Sequence, residues 1–505
     1  MRVLVTGATG YIGGRLVPEL LDAGHDVRCL ARSPDKLRDQ PWRARVEVAA
    51  GDVQDEASLR RALSGIDIAY YLVHSMAGGA GFARLDTAGA HNFAAAAARA
   101  RVGRIVYLGG ITPRDEELSP HLRSRARVGE ALLAGSVPTA VLRAAVVIGS
   151  GSASFEMLRY LTERLPVMTT PRWVATRVQP IAVRDVLRLL VESAGLDSGV
   201  HRTFDIGGPE VLTYADMIRG FARIEGLGRR TIIPVPVLTP QLSSLWVGLV
   251  TPVPGSVARP LVESLRHEVV AAEDDLADLL GDHHRLGFDD AVALALRRVG
   301  DADVATRWSS AGWPAAPSDP LPTDPDWAGG SLYTDDRHRR VRAPARDLWR
   351  VIEGIGGEQG WYSAPLAWGA RGLLDRVSGG VGLRRGRRDP RRLRAGDSLD
   401  FWRVEEIEPG RLLRLRAEMR LPGRAWLELC VDEDDAGTVY RQRALFHPRG
   451  LAGQAYWWGV KPAHSIVFGS MARNIALHAE RESGTPPGVS GRAGKPIDRR
   501  ARGAL

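Results

Sequence analysis

Residues 2–13 read R-V-L-V-T-G-A-T-G-Y-I-G, and no other short run constrains the fold of this chain as strongly. The apolar stretch Val3–Val5 stops at Thr6-Gly7, and a helical pattern then runs from Tyr11 to Ala23 before Gly24 ends it. A glycine at position 7 permits a turn with unusual φ. One at position 10 lets backbone approach an anionic group with no Cβ in the way, and one at position 13 lets the helix pack close on the strand. The first N–H groups of such a helix and the positive end of its dipole suit a diphosphate. Gly7, Thr9, Gly10, Tyr11, Ile12 and Gly13 are therefore the candidate phosphate contacts of a dinucleotide. Glycine is common here, at 56 of 505 residues, so the spacing alone means little. Its place between a strand and a helix, inside a βαβ unit of about thirty residues, is what gives it weight.

The first half of the chain alternates apolar runs with helical patterns, as a doubly wound parallel α/β sheet does. Strands are expected at Val3–Val5, Val27–Leu30, Val46–Val48, Ile68–Val73, Ile105–Leu108 and Ala140–Ile148. Helices are expected at Tyr11–Ala23, Glu56–Leu63, near Asn92–Arg101 and at Ser124–Leu133. From Ser152 to about Gly300 the pattern is mixed, and Val178–Val186, Thr203–Ile206 and Tyr214–Ala222 read as further strands and a small substrate cap. Pro314, Pro317, Pro320, Pro322 and Pro325 then mark an extended linker. Ten of the thirteen tryptophans follow position 300, so the composition changes with the domain. Beyond the linker the order is a strand (Ser331–Val341), helices (Ala343–Gly354, Ala364–Val377), four strands between Ser398 and Phe446, and a closing helix, Ala463–His478. A curved antiparallel sheet gripping one long helix fits that order. The expected organisation is a nucleotide-binding domain over 1–305, a Pro-rich linker over 306–327, an α+β helix-grip domain over 328–482 and a disordered tail over 483–505.

The tip of the second strand bears on cofactor choice. An acid there accepts from the ribose hydroxyls of NAD, whereas an arginine accommodates a 2′-phosphate. Here the strand ends Leu30-Ala31-Arg32-Ser33, with Lys36 nearby and no acid at the tip, so Arg32 and Ser33 favour NADP(H) over NAD(H). Gly51-Asp52-Val53 after the third strand would bring Asp52 and Val53 to the adenine edge, although Asp52 also suits a turn or helix cap. His74 closes the fourth strand on the cofactor crevice.

The T-G-A-T-G-Y-I-G run, the G-D-V at 51–53 and the segment Val178–Val186 together resemble the short-chain dehydrogenase/reductases, most closely their atypical NmrA-like branch. The resemblance covers about residues 1–300 and implies a Rossmann fold. The C-terminal part resembles the domain of unknown function that accompanies YbjT-like NAD(P)-binding proteins, a fold similar to START-type ligand-binding domains. Family membership implies a serine after the fifth strand and a Tyr-x-x-x-Lys pair on the next helix. This sequence has Gly109-Gly110 in place of the serine, His121 in the tyrosine place and Arg125 in the lysine place. The only lysines are Lys36, Lys461 and Lys495, preceded four residues earlier by Arg32, Trp457 and Gly491, so no Tyr-x-x-x-Lys exists anywhere. Histidine is a competent acid/base group near neutral pH and an arginine at i+4 shares its helix face, but that cation weakens the imidazole as a proton donor. Thr112 and Ser124 offer hydrogen bonds to a carbonyl. His121 and Arg125 are thus the candidate catalytic pair, set against a purely structural role at a helix start.

Other features narrow the function class. A net charge of +9 invites a nucleic-acid partner, yet 65 of the 68 basic residues are arginine and no recognition motif accompanies them, so none is expected. Cys29 and Cys430 exclude a disulfide framework and fit a reducing interior. No signal-peptide pattern follows Met1, and five prolines between Ile232 and Pro254 break the most apolar stretch, so a cytoplasmic protein without an integral membrane segment is expected. His283-His284 beside Asp282 lacks a further ligand at helical spacing, and no metal is expected. The arginine-dense run Arg384–Arg394 reads as a solvated loop or an anion-binding patch. The C-terminal tryptophans read as core or as the lining of an apolar cavity. The leading expectation is a nicotinamide-dependent oxidoreductase acting on a small or apolar organic substrate. Its rival is a catalytically silent NADP(H) sensor or assembly factor with a C-terminal ligand-binding domain.

Overall fold

The computed structural model describes residues 1–73, 82–113, 118–235, 250–281, 284–302, 324–325, 328–357, 360–363, 392–435 and 437–484. The chain divides into two compact units, Met1–Gly330 and Ser331–Leu505. His74, the helix expected over Ala364–Val377, most of the arginine-dense run and the expected tail from 485 onward lie outside the described residues.

The first unit is built on a seven-stranded parallel sheet. Its strands include β1 (Arg2–Thr6), β2 (Asp26–Ala31), β3 (Glu47–Ala50), β4 (Ile68–Tyr71), β5 (Arg104–Gly110) and β6 (Thr139–Ala144), with Arg202–Ile206 beyond β6. Their spatial order is Arg202–Ile206, β6, β5, β4, β1, β2, β3, so the direction of winding reverses between β1 and β4. Helices α1 (Tyr11–Asp22), α2 (Glu56–Leu63), α3 (Phe82–Arg99) and α4 (Pro120–Leu133) make the crossovers. Two apolar cores result, one on each face of the sheet. Val3, Val5, Leu16 and Leu20 belong to one and Leu4, Leu59, Phe93 and Ile105 to the other. Alternating residues of β1 thus point to opposite faces, as the period of two requires.

Several expected elements are corrected. The run Ala140–Ile148 is two strands, because β6 ends at Ala144 and Val147–Ile148 pairs instead with Ile181–Ala182. Within Val178–Val186 only Arg177–Val178 and Ile181–Ala182 are extended, and a helix begins at Val183 and runs to Glu192. Its buried residues Val183, Val186, Leu187 and Leu190 have helical spacing, which a reading of β-branched residues overlooks. Tyr214–Ala222 belongs to the helix Tyr214–Ile224, fixed at its start by a reciprocal Thr213–Asp216 capping box. With the helices Ala153–Arg164, Gly255–Ser264 and Phe288–Ala302 it forms a cap beside the carboxyl ends of the strands.

The second unit carries a six-stranded antiparallel sheet in the order Tyr333–Val341, Gly437–Pro448, Gly423–Asp434, Leu412–Ala417, Trp402–Glu408, Ser398–Leu399. The helix Gly450–Glu482 is twice as long as the expected Ala463–His478, because it continues through Pro462. A single proline removes one hydrogen bond, and packing on either side of it retains the helix. Phe468, Met471, Ile475 and Ala479 bury against Leu413, Leu427, Leu429 and Tyr440 of the sheet, together with Leu348 and Ile352 of the helix Ala345–Glu353.

Candidate functional site

The site starts where β1 and β4 diverge. The Thr6 hydroxyl donates to the Tyr70 carbonyl at 3.0 Å and accepts from the Leu72 N–H at 2.9 Å, which ties the two strand ends together. Gly7 then turns with φ of +73°, and a Cβ there would lie 2.5 Å from the Leu72 carbonyl oxygen. A Cβ on Gly13 would lie 2.3 Å from the Gly7 oxygen, so only glycine lets α1 approach the loop this closely. Gly10 stands at the N-cap of α1 with no side-chain cap, which leaves the N–H groups of the first turn for an anion. This cradle fits a diphosphate.

The loop forms one end of a cavity of about 670 Å³. Gly7, Thr9, Gly10, Tyr11, Ile12, Gly13, Arg32, Asp52 and Val53 all line it. Arg32 is exposed at the tip of β2, and the nearest acid in sequence, Asp35, is paired with Arg38. Ser33 does not line the cavity; it stands at the N-cap of the short 3₁₀ turn Pro34–Leu37. The Asp52 carboxylate accepts from the Gln54 N–H at 3.0 Å, so this side chain holds its own turn while sitting in the cavity wall.

Helix α4 supplies the opposite wall. Ser119 caps it, its hydroxyl accepting from the Leu122 N–H at 3.3 Å, and the same hydroxyl lies 2.9 Å from that of Ser264 in the cap. His121 is 6% exposed and lines the cavity, as does Arg125 one turn later. Gly109 and Gly110 line it at the end of β5, where a family serine would stand. Of the two hydroxyls considered from sequence, Thr112 instead accepts from Arg143 at 3.2 Å, and Ser124 is buried against Asp86 at 3.5 Å.

Three residues of this wall have no obvious signal in the sequence. Tyr71, Asp86 and Tyr107 line the cavity between the glycine loop and His121. Tyr107 donates to the Arg125 carbonyl at 3.2 Å, and burial pushes its phenol up to about 12 against the opposing pull of the Arg125 guanidinium. Burial raises the Tyr71 phenol too, and the Asp86 carboxylate adds to the effect. Both phenols therefore stay protonated at neutral pH. Asp86 carries no local signal because α3 begins at Phe82, ten residues ahead of the alanine-rich run that announces a helix. Past His121 the cavity turns apolar, lined by Ile111, Tyr214, Val257, Leu261, Leu265 and Val269, with Ser264 among them.

Among the described residues no three His, Cys, Asp or Glu side chains are placed to hold a metal. No described helix is long and apolar enough to cross a membrane.

Comparison with known proteins agrees with this geometry. Residues 7–147 match a family described as NAD(P)H-binding, and residues 327–471 match a protein family of unknown function, DUF2867. A ceramide reductase of Caulobacter vibrioides is 30% identical over 261 residues, which covers 49% of this chain and 78% of that protein. A 3β-hydroxysteroid dehydrogenase/Δ5→4-isomerase of Mycobacterium tuberculosis is 36% identical over 116 residues, 21% of this chain and 30% of that protein. The chain thus spans less than a third of the steroid enzyme's length. Triphenylmethane reductase of Citrobacter sp., solved with NADP(H), superposes with a TM-score of 0.48 at 20% identity, over 58% of this chain and 100% of that one. Through its first unit the chain belongs to the family of NAD(P)H-binding proteins that includes this ceramide reductase, and a DUF2867 domain follows it in the sequence.

Proposed function

We propose that the protein is an NADP(H)-dependent oxidoreductase that reduces a carbonyl group on an uncharged, largely apolar organic molecule. One observation carries this reading: the glycine loop, the His121–Arg125 face of α4 and an apolar arm all line one cavity. Arg32, with no free acid beside it at the β2 tip, favours a 2′-phosphate and hence NADP(H) over NAD(H). Gly7, Thr9, Gly10, Tyr11, Ile12 and Gly13 hold the diphosphate, and Asp52 and Val53 flank the adenine side. Bound there, the dinucleotide supplies hydride to the carbonyl carbon.

The chain's own residues do the rest. His121 donates a proton to the carbonyl oxygen and is reprotonated from solvent, while the Arg125 guanidinium balances charge developing on that oxygen and Tyr107, donating to the Arg125 carbonyl, holds that turn of α4 in place. The apolar arm excludes water and places the remainder of the substrate. The names of two relatives, a ceramide reductase and a steroid dehydrogenase, agree with such a substrate. The C-terminal unit, with one long helix on an antiparallel sheet, suits a START-like ligand-binding role of its own. The two free cysteines suit a cytoplasmic location.

The test is NADPH oxidation with a panel of long-chain ketones, steroid ketones and quinones, repeated with His121→Ala. Turnover should appear on an apolar carbonyl and fall by about 10²-fold or more in the variant, with NADPH affinity held within twofold. Turnover that survives in His121→Ala would remove His121 from catalysis. The cavity wall at Gly109-Gly110 offers no hydroxyl, which favours the silent sensor as the second reading. Tight NADPH binding with no turnover on any substrate would establish it.

A further inference from the structure

The wall of the cavity includes a piece of chain some 310 residues away from the glycine loop. Asp324 and Pro325, just before the second unit begins, line the cavity beside Gly151 and Tyr11. The Asp324 carboxylate grips Arg15 of α1 with both oxygens, at 2.8 and 2.7 Å, and the Arg15 side chain is only 2% exposed. The Arg15 guanidinium lies 4.2 Å over the Tyr11 ring, one turn back on the same helix and beside the phosphate cradle. A second fastening follows five residues later. Glu156, fully buried in the helix Ala153–Arg164, accepts from the Gly151 N–H at 2.8 Å and from the Gly329 N–H at 3.0 Å. One carboxylate oxygen therefore joins the loop after β6 to the incoming segment. Gly329 and Gly330 have φ of +85° and +86°, and a Cβ on Gly330 would meet the Arg159 guanidinium at 2.5 Å. The Gly-Gly pair is what lets backbone pass so close over a buried ion pair.

We propose that Asp324, with Pro325 and Ala328–Gly330, is a strap that completes the dinucleotide site, and that the cofactor enters and leaves past it. The proposal rests on reading the cavity as a dinucleotide site. Two fastenings, one from Asp324 to the buried Arg15 and one to the fully buried Glu156, mark it as a built contact, because a guanidinium or carboxylate left unpaired at such depth is strongly disfavoured. Its position sets what it controls. It lies between the first turns of α1 and Gly151, both cavity walls, so it closes the site on the phosphate side and leaves the apolar arm open. Asp324 also neutralises Arg15, so this guanidinium adds no net positive charge to the phosphate side of the site. Asp324 and the glycine pair are accordingly positioning groups for cofactor exchange and take no part in proton transfer.

Stopped-flow fluorescence of NADPH binding to the full chain tests this, comparing the unmodified protein with Asp324→Asn. A strap predicts that association and dissociation both accelerate, each by about tenfold, as the closing wall loosens. Unchanged rates, or faster association paired with slower dissociation from the freed Arg15 charge alone, would overturn it. If the unmodified protein takes up no NADPH, the dinucleotide reading falls and the strap falls with it. Should the variant fail to fold, amide exchange in the unmodified protein decides. The Gly329 N–H should be protected and become more so with NADPH, whereas exchange at the rate of an unstructured peptide contradicts the proposal.

Discussion

At the scale of single residues, burial holds the two cysteine thiols in their neutral form. Burial pushes the Cys29 thiol up to about 12, and it does the same to Cys430, helped there by Glu428 and Asp432. The thiolate is the reactive form, so a raised thiol stays inert across the neutral range. Neither cysteine should react with an aromatic disulfide reagent at pH 8 in the folded protein, and both should react once denaturant unfolds it; rapid labelling of either under native conditions would show that its burial is not maintained. The residues legible in the sequence were those whose role is local. Gly7, Gly10 and Gly13 announce themselves because a loop, a cap and a helix–strand contact fall within seven residues. Asp324 and Asp86 do not, because a carboxylate reaching a cavity from another part of the chain leaves no pattern near itself.

At the scale of elements, the cap helix Tyr214–Ile224 offers a clean test of local chemistry. The Thr213 hydroxyl and the Asp216 carboxylate satisfy each other's backbone N–H groups, and the hydrogen bond from Thr213 is the main cause that holds the Asp216 carboxyl below its ordinary range. A carboxylate depressed in the folded state stabilises above its unfolded pKa, and that contribution is lost as pH falls through the folded value. Thr213→Ala should therefore cost about 1 kcal/mol at neutral pH, measured by urea unfolding, and the gap from the native protein should narrow below about pH 4. A gap that is constant down to pH 2.5 would mean the cap acts without the carboxylate. The strands of the parallel sheet were legible because buried strands read as short apolar runs closed by turn residues. The helix Val183–Glu192 was not, since it is rich in valine and leucine and its helical spacing is seen only when both are counted. Pro462 hid half of the long C-terminal helix for a different reason. A proline reads as a stop, yet here tertiary packing overrides the local signal.

At the scale of the whole molecule, the tryptophan-rich shift in composition sets the expectation of a second domain, and contacts that composition does not reveal hold the segment ahead of it. Proline content marks a linker up to Pro325, whereas Asp324 pairs with the buried Arg15 and the Gly329 N–H donates to the buried Glu156 carboxylate. A fragment of residues 1–330 should therefore fold and unfold cooperatively, and one of residues 1–305 should be weaker by about 3–5 kcal/mol in urea, because Arg15 loses its buried partner. Equal stability of the two fragments would show that the segment adds nothing. The central claim concerns what the cavity holds, and calorimetric titration with NADPH and with NADH tests it most directly, on the unmodified chain and on Arg32→Ala. Binding of NADPH at least about tenfold tighter than NADH, with that advantage lost in Arg32→Ala, is the result expected of a 2′-phosphate held at the β2 tip. Equal affinity for the two dinucleotides in the unmodified chain, or an NADPH preference that survives in Arg32→Ala, would contradict it.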